Sequence, residues 1–237
     1  MKPLLRSFEV FIKQIFSDAM LVAVCIAPII TACFFRFAIP NIEQMLCEYF
    51  NEAAILAGYY LLFDLFLSMV TPYMFCFASA MVMLTEHDEN MSQYTFVTPV
   101  GKKGYIISRL LFPAAISFVY SILLMLLFSL TEWTILMILT TCLLTCFLSV
   151  IISLLVFSFS HNRIEGMAMV KLSGIVLLGL PVPFFLMSDV QYLFSPLPSF
   201  WIAKLTVEQN YLFFLPALIS SVLWFWLFYR KFDHKLK

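Results

Sequence analysis

Six stretches of this chain stay apolar for close to the roughly 20 residues that a helix needs to cross a bilayer core. They are Ala19–Ile39, Ala53–Leu84, Ile106–Leu130, Thr134–Phe159, Met167–Met187 and Tyr211–Tyr229. A membrane barrel would instead show short alternating strands. With 63% hydrophobic and 12% charged residues and a mean hydropathy of +0.98, the chain lies far from soluble globular composition. The expected class is an all-α integral membrane protein with six transmembrane helices in a single transmembrane domain, residues 1–237. The second run is too long for one upright crossing, so it must tilt, kink near Pro72 or project from the membrane.

Short cytoplasmic loops retain Lys and Arg, and this sets the orientation. One side collects Lys2, Arg6, Lys13, Lys102, Lys103, Arg109, Arg163, Lys171, Arg230, Lys231, Lys235 and Lys237. The other has only Arg36 and Lys204, with Glu43, Glu48, Glu52, Glu132, Asp189 and Glu208. The expectation is a multi-pass protein of a bacterial cell membrane with both termini cytoplasmic. Residues 1–18 carry no short basic region followed by an apolar run and a cleavage site, so no signal peptide is expected. Leu4, Leu5, Phe8, Phe11, Ile12, Ile15 and Phe16 recur at helical spacing, giving an amphipathic interfacial helix that serves as a plain anchor or as a specific contact.

Several chemistries lack their residues. There is no phosphate-binding loop, no His-Glu-x-x-His helix and no dinucleotide fingerprint, so neither nucleotide hydrolysis nor a metalloprotease centre is expected in this chain. His87, His161 and His234 fall in predicted cytoplasmic segments. Cys142 and Cys146 share a helix face without a His or acidic neighbour in the span, which favours packing over metal binding. No disulfide framework, nucleic-acid partner or bound cofactor is expected.

The largest polar island runs from Met83 to Arg109. Met91, Tyr94, Thr95 and Val97 give its middle the apolar side of a short helix, and Pro99 cannot continue that helix and disfavours helical geometry at Thr98. The bland reading is a solvated loop that sets topology. The island resembles the permease subunits of type 2, exporter-class ABC transporters, which place acids after the second span, then a short coupling helix, a Thr-Pro, a basic turn and an aromatic. The matching residues are Glu86, Asp88, Glu89, Thr98, Pro99, Tyr105 and Arg109, with Asn90 where the family usually has Gly and Gln93 where it often has an acid. A second likeness, Asn162-Arg-Ile-Glu-Gly-Met-Ala-Met-Val-Lys171 running into Pro181 and Pro183, is to compact six-span drug or fluoroquinolone exporters. A third is Ser195-Pro-Leu-Pro-Ser-Phe-Trp201, similar to the family's re-entrant outer segment.

The resemblance implies an ATP-driven export permease that performs no chemistry itself. It would pair with a second copy or a related permease and with two cytoplasmic ATPase subunits that bind ATP and Mg. It implies a coupling segment at 85–104 with Glu86, Asp88, Glu89, Gln93, Tyr94, Thr98 and Pro99 at the ATPase. It also implies a cytoplasmic gate at Asn162, Glu165 and Lys171, and an outer lid at 188–210 with Pro196, Pro198 and Trp201. Glu165 could instead pair with Arg163 or Lys171. Asp64 is the one acid well inside a span, either a functional acid at membrane depth or an interfacial one if its helix projects. With Phe63, Phe66, Phe75 and Phe77 it forms the candidate path for an amphipathic drug, peptide or lipid-like cargo. The competing readings are an ion-coupled carrier using Asp64 and an intramembrane enzyme. The enzyme needs His and acids clustered within spans that hold almost none.

Overall fold

The computed structural model describes residues 2–186 and 188–236. No strand occurs among the described residues. Helix α1 (Lys2–Ser17) is followed by α2 (Ala19–Phe50) and α3 (Ala57–Asp88). Next come the short α4 (Met91–Phe96), then α5 (Gly101–Phe128) and α6 (Ile135–Phe159). After α7 (Arg163–Leu177) and the single turn α8 (Val182–Phe185), the chain ends in α9 (Pro198–Val207) and α10 (Tyr211–Lys235). Helices α2, α3, α5, α6 and α10 are long and apolar enough to cross a membrane. The first and last helices meet the start of α5 at one end of the bundle, where Lys102 lies 2.8 Å from Asp233 near the end of α10 and Arg109 donates to the Ser7 carbonyl of α1.

The centre is α3 packed on α6. Their most apolar windows are 67% and 61% buried, against 17% for α2 and for α10. Between lipid-like surfaces the hydrophobic effect gives helices little reason to associate, so close packing and interhelical hydrogen bonds must hold them. The prolines supply the acceptors. Pro72 has no N–H to give the Ser68 carbonyl one turn earlier, and the Ser121 hydroxyl of α5 and the Thr145 hydroxyl of α6 each donate to that oxygen at 3.1 Å. Helix α3 therefore runs unbroken from Tyr60 to Asp88 with Pro72 inside it. Pro113 releases the Arg109 carbonyl in the same way, and the Ser79 hydroxyl of α3 donates to it.

The expected fifth span is corrected. Helix α7 has 15 residues, about 22 Å at 1.5 Å per residue, which is short of a hydrocarbon core of about 30 Å. The crossing is made in two pieces. Arg163 at the start of α7 pairs with Asp18 just before α2, whereas Phe185 in α8 stacks on Tyr59, beyond the far end of α2. Pro181 and Pro183 lie at the break, and the expected end of the span, Met187, lies outside the described residues.

Gly179 at the break meets the start of α9. A Cβ there would stand 2.5 Å from the Phe200 nitrogen and 2.4 Å from Ser199 Oγ, and that hydroxyl donates to the Val176 carbonyl at 2.5 Å. Residues 188–210 dip into the bundle from the far end and return. The Trp224 indole, about 20 Å along α10 from Tyr211, donates to the Pro196 carbonyl at 2.9 Å. Lys204 on the returning helix is 2% exposed; its ammonium donates to the Tyr192 hydroxyl at 2.6 Å and lies 3.5 Å from Glu208.

The proline-released carbonyl makes a testable cycle. Replacing Ser121 with Ala and Thr145 with Val orphans the Ser68 oxygen and should cost about 1–3 kcal/mol. In a Pro72→Ala background the same pair should cost much less, because the new N–H takes the carbonyl. Denaturant unfolding in detergent reads the difference, and equal costs in both backgrounds would refute it.

Candidate functional site

At the end that holds the termini, the last turns of α3 carry Glu86, Asp88 and Glu89, and the sequence does not distinguish their fates. Glu86 is 3% exposed and Arg109 2%. The guanidinium donates Nε to both Glu86 oxygens at 3.1 and 3.0 Å and Nη2 to one of them at 2.6 Å. Nη1 donates to the Ser7 carbonyl of α1 at 2.7 Å. The same group lies 5.2 Å from the Phe11 ring centre and 5.6 Å from that of Tyr105. Glu86 is therefore removed from the expected contact set, because its carboxylate is spent inside the protein, joining α1, α3 and α5.

Asp88 and Glu89 are exposed. Asn90 turns the chain in the left-handed region at φ 56°, where a short side chain that bonds locally is tolerated and Gly would be the default. In α4, Ser92 is buried and Phe96 packs edge-on against Tyr105 at 5.4 Å. The opposite side presents Met91, Gln93, Tyr94 and Val97, with Tyr94 72% and Val97 86% exposed. Thr98 closes the helix by donating to the Thr95 carbonyl at 2.7 Å, and exposed Pro99 follows. A cleft of about 850 Å³ separates Arg6 and Val10 of α1 from Thr98 and Pro99, with Arg109 among its lining residues. Helix α1 spends part of its stripe on the bundle: Phe11 is fully buried and Phe8 meets Phe112 edge-on at 5.1 Å, while Leu5 and Phe16 stay exposed.

The expected gate residues have local structural work. Asn162 caps α7, accepting from the Glu165 N–H at 2.8 Å, while the Glu165 carboxylate accepts from the His161 N–H at 2.7 Å, a reciprocal arrangement close to a capping box. Gly166 follows because α7 presses on α3 there; a Cβ would lie 2.4 Å from Leu84 Cδ1. Glu165 pairs with neither Arg163 nor Lys171 among the described contacts. Arg163 goes to Asp18, whose carboxyl is held below the usual range by the Arg163 hydrogen bond and then by the N–H groups of Met20 and Leu21, against some desolvation. Lys171 stands exposed on the outer side of α7. Nothing in the sequence spacing marks the Asp18–Arg163 pair, which joins segments far apart in the chain.

Of the candidate path residues, Asp64 is fully buried and tied to the α5–α6 turn at the far end. Its oxygens accept from the N–H groups of Leu130 and Thr131 at 2.7 and 2.9 Å, the Thr131 hydroxyl at 2.6 Å and the Trp133 indole at 3.0 Å. It is a turn anchor with no open side. Phe75 faces α5, edge-on to Tyr120 at 5.6 Å, and so leaves the set. Phe63, Phe66 and Phe77 remain, half-buried together with Val70, Tyr73 and Met74. At 100° per residue these six occupy one face of α3. Phe35 of α2 flanks it at Phe63, 5.4 Å between ring centres, and α7 flanks it where the Tyr73 hydroxyl meets Ser173 at 3.0 Å. Val70 and Met74 were missed by the sequence reading, although their spacing from Phe63 and Phe66 follows the helical repeat.

Pro198 is buried at the start of α9, and the Trp201 indole donates to the Ser195 carbonyl at 2.7 Å. Trp201 thus braces the hairpin from within.

Removing either partner of the clamp strands the other's charge. Glu86→Gln or Arg109→Met alone should destabilise by about 3–5 kcal/mol, whereas Glu86→Leu with Arg109→Met should recover most of it. Thermal unfolding in detergent decides; a double variant as unstable as the sum of the singles would contradict the assignment.

A family model described as "Fluoroquinolones export permease protein Rv2686c-like" matches residues 11–229. Two curated relatives from Mycobacterium tuberculosis are each 26% identical over 232 residues, 94% of this chain and 91% of the relative. They are named fluoroquinolones export permease protein MT2760, from strain CDC 1551 / Oshkosh, and Rv2686c, from strain H37Rv. No solved structure matches. A family-model match over nearly the whole length of this chain, whose long apolar helices suit a membrane bundle, places it in the Rv2686c-like family of export permeases.

Proposed function

We propose that this chain is the membrane half of an ATP-driven exporter, moving an amphipathic cargo while separate ATPase subunits, binding ATP and Mg, dock on α4 from the cytoplasm. The observation that carries this reading is the exposed side of α4, with Gln93, Tyr94 and Val97 outward beside Asp88, Glu89, Thr98 and Pro99. A merely topogenic loop needs no helix with its aromatic knob turned to water, on a base as rigid as the Glu86–Arg109 clamp. The Lys and Arg excess at this end supports a cytoplasmic location for it. Cargo would move along the half-buried face of α3 between α2 and α7, on the side where a second permease copy completes the path. The Asp18–Arg163 pair would close that face toward the cytoplasm, and the 188–210 hairpin would close it outward. The relatives' names make a fluoroquinolone-like drug the first cargo to try. An ion-coupled carrier using Asp64 is disfavoured, since four donors leave that carboxylate no room for a travelling proton or sodium ion.

Two measurements bear on this. The Glu89→Ala/Tyr94→Ala variant should insert normally yet lose copurification of the ATPase and at least tenfold of drug export, because a signal crosses a subunit boundary only through contacts that differ between states. Unchanged export with unchanged ATPase association would reduce α4 to a topogenic loop. Separately, in a cysteine-free background, an impermeant thiol reagent outside intact cells should label Gln44→Cys and spare Gln93→Cys; the reverse pattern would invert the orientation.

A further inference from the structure

We infer that the outward face of α10 is a binding site for one anionic phospholipid, with an acyl chain in a groove along the helix and the headgroup on Arg230 and Lys231. This does not rest on the transport reading. Two clefts lie end to end on α10. One of about 450 Å³ is bounded by Trp201, Pro216 and Ser220, and one of about 240 Å³ by Leu227 and Phe228; both are lined by Leu223 and Trp224, so they adjoin. From Pro216 to Phe228 the groove runs about 18 Å. Ser220, Trp224, Leu227 and Lys231 recur at four- and three-residue spacing, which puts Lys231 on the groove's own face, one turn past its end.

Depth and charge select the occupant. Lys231 is twenty residues beyond Tyr211, about 30 Å along the helix and close to the thickness of the hydrocarbon core, so the groove opens to acyl chains and Lys231 lies at headgroup level. The Lys231 ammonium sits 3.4 Å from the Phe159 ring centre and the Arg230 guanidinium 4.2 Å from that of Trp226. Among the described residues neither cation has a carboxylate within ion-pair distance. Among the described residues, these two adjacent, exposed cations held over aromatic faces have no ion-pair partner. A lipid with net negative charge compensates them, and a zwitterionic one does not.

The test is native mass spectrometry of the purified full-length protein in detergent with equimolar phosphatidylglycerol and phosphatidylcholine. Phosphatidylglycerol adducts should predominate. Each cation near a membrane surface is worth roughly fivefold, so R230Q/K231Q should lower the phosphatidylglycerol preference by roughly 30-fold. K231R, which keeps the charge, should retain it, and so should K171Q, which removes an exposed cation on α7. L223W, which fills the junction of the two clefts, should reduce retention of both lipids. Equal binding of the two lipids by the unaltered protein, survival of the preference in R230Q/K231Q, or its equal loss in K171Q would each overturn the site.

Discussion

The Arg109 guanidinium fixes how the end of the molecule that carries the termini is assembled. An arginine at 2% exposure costs several kcal/mol to desolvate unless its donors are taken up, and here they are divided among elements. Nε and Nη2 lie on the Glu86 carboxylate of α3, and Nη1 lies on the Ser7 carbonyl of α1. A planar fork can serve both directions at once, which a lysine ammonium on a flexible stem would do poorly. Because α1, α3 and α5 meet at one group, the place where the chain leaves α3 and the place where it enters α5 are both set. Helix α4, strung between them, has its inner side determined by Ser92 and Phe96.

Within the membrane the same economy of polar atoms recurs. Pro72 and Pro113 each free a carbonyl, and hydroxyls on neighbouring helices occupy both. These bonds join α3, α5 and α6 into one block, with the far-end turn of α5 and α6 tied to α3 through Asp64. Helix α2 and the divided α7–α8 crossing lie outside this block. They meet at the Asp18–Arg163 pair at one end of the bundle, and at the other end Phe185 stacks on Tyr59 at the start of α3. A bundle so divided has a stiff centre and two flanking elements with few ties between them.

Much of this was legible because membrane helices announce themselves by length. The five continuous spans, the gathering of Lys and Arg at one end and the stop at Pro99 follow from residue type and position. What escaped was pairing. Glu86, Asp88 and Glu89 look alike in sequence, and only the fold shows that α5 brings Arg109 to the first of them. Asn162 and Glu165 carry a spacing that signals a helix cap, but the likeness to exporters drew them toward a gate. The fifth span read as continuous because hydropathy does not register that Gly179, close before two prolines, leaves room for another backbone. Asp64 was read for its charge, and its donors come from a turn 66 residues and more away.

Asp64 also bears on how the chain is made. Helix α3 emerges before the α5–α6 turn, so the helix must insert before any of the four donors to Asp64 exists. At mid-depth an unpaired acid would cost about 2.5–3.5 kcal/mol on insertion. Seven residues from the start of α3, it lies only about 10 Å from that end and can stay hydrated at the interface until the later hairpin arrives. The position of this acid therefore suits the order of synthesis as well as the finished bundle.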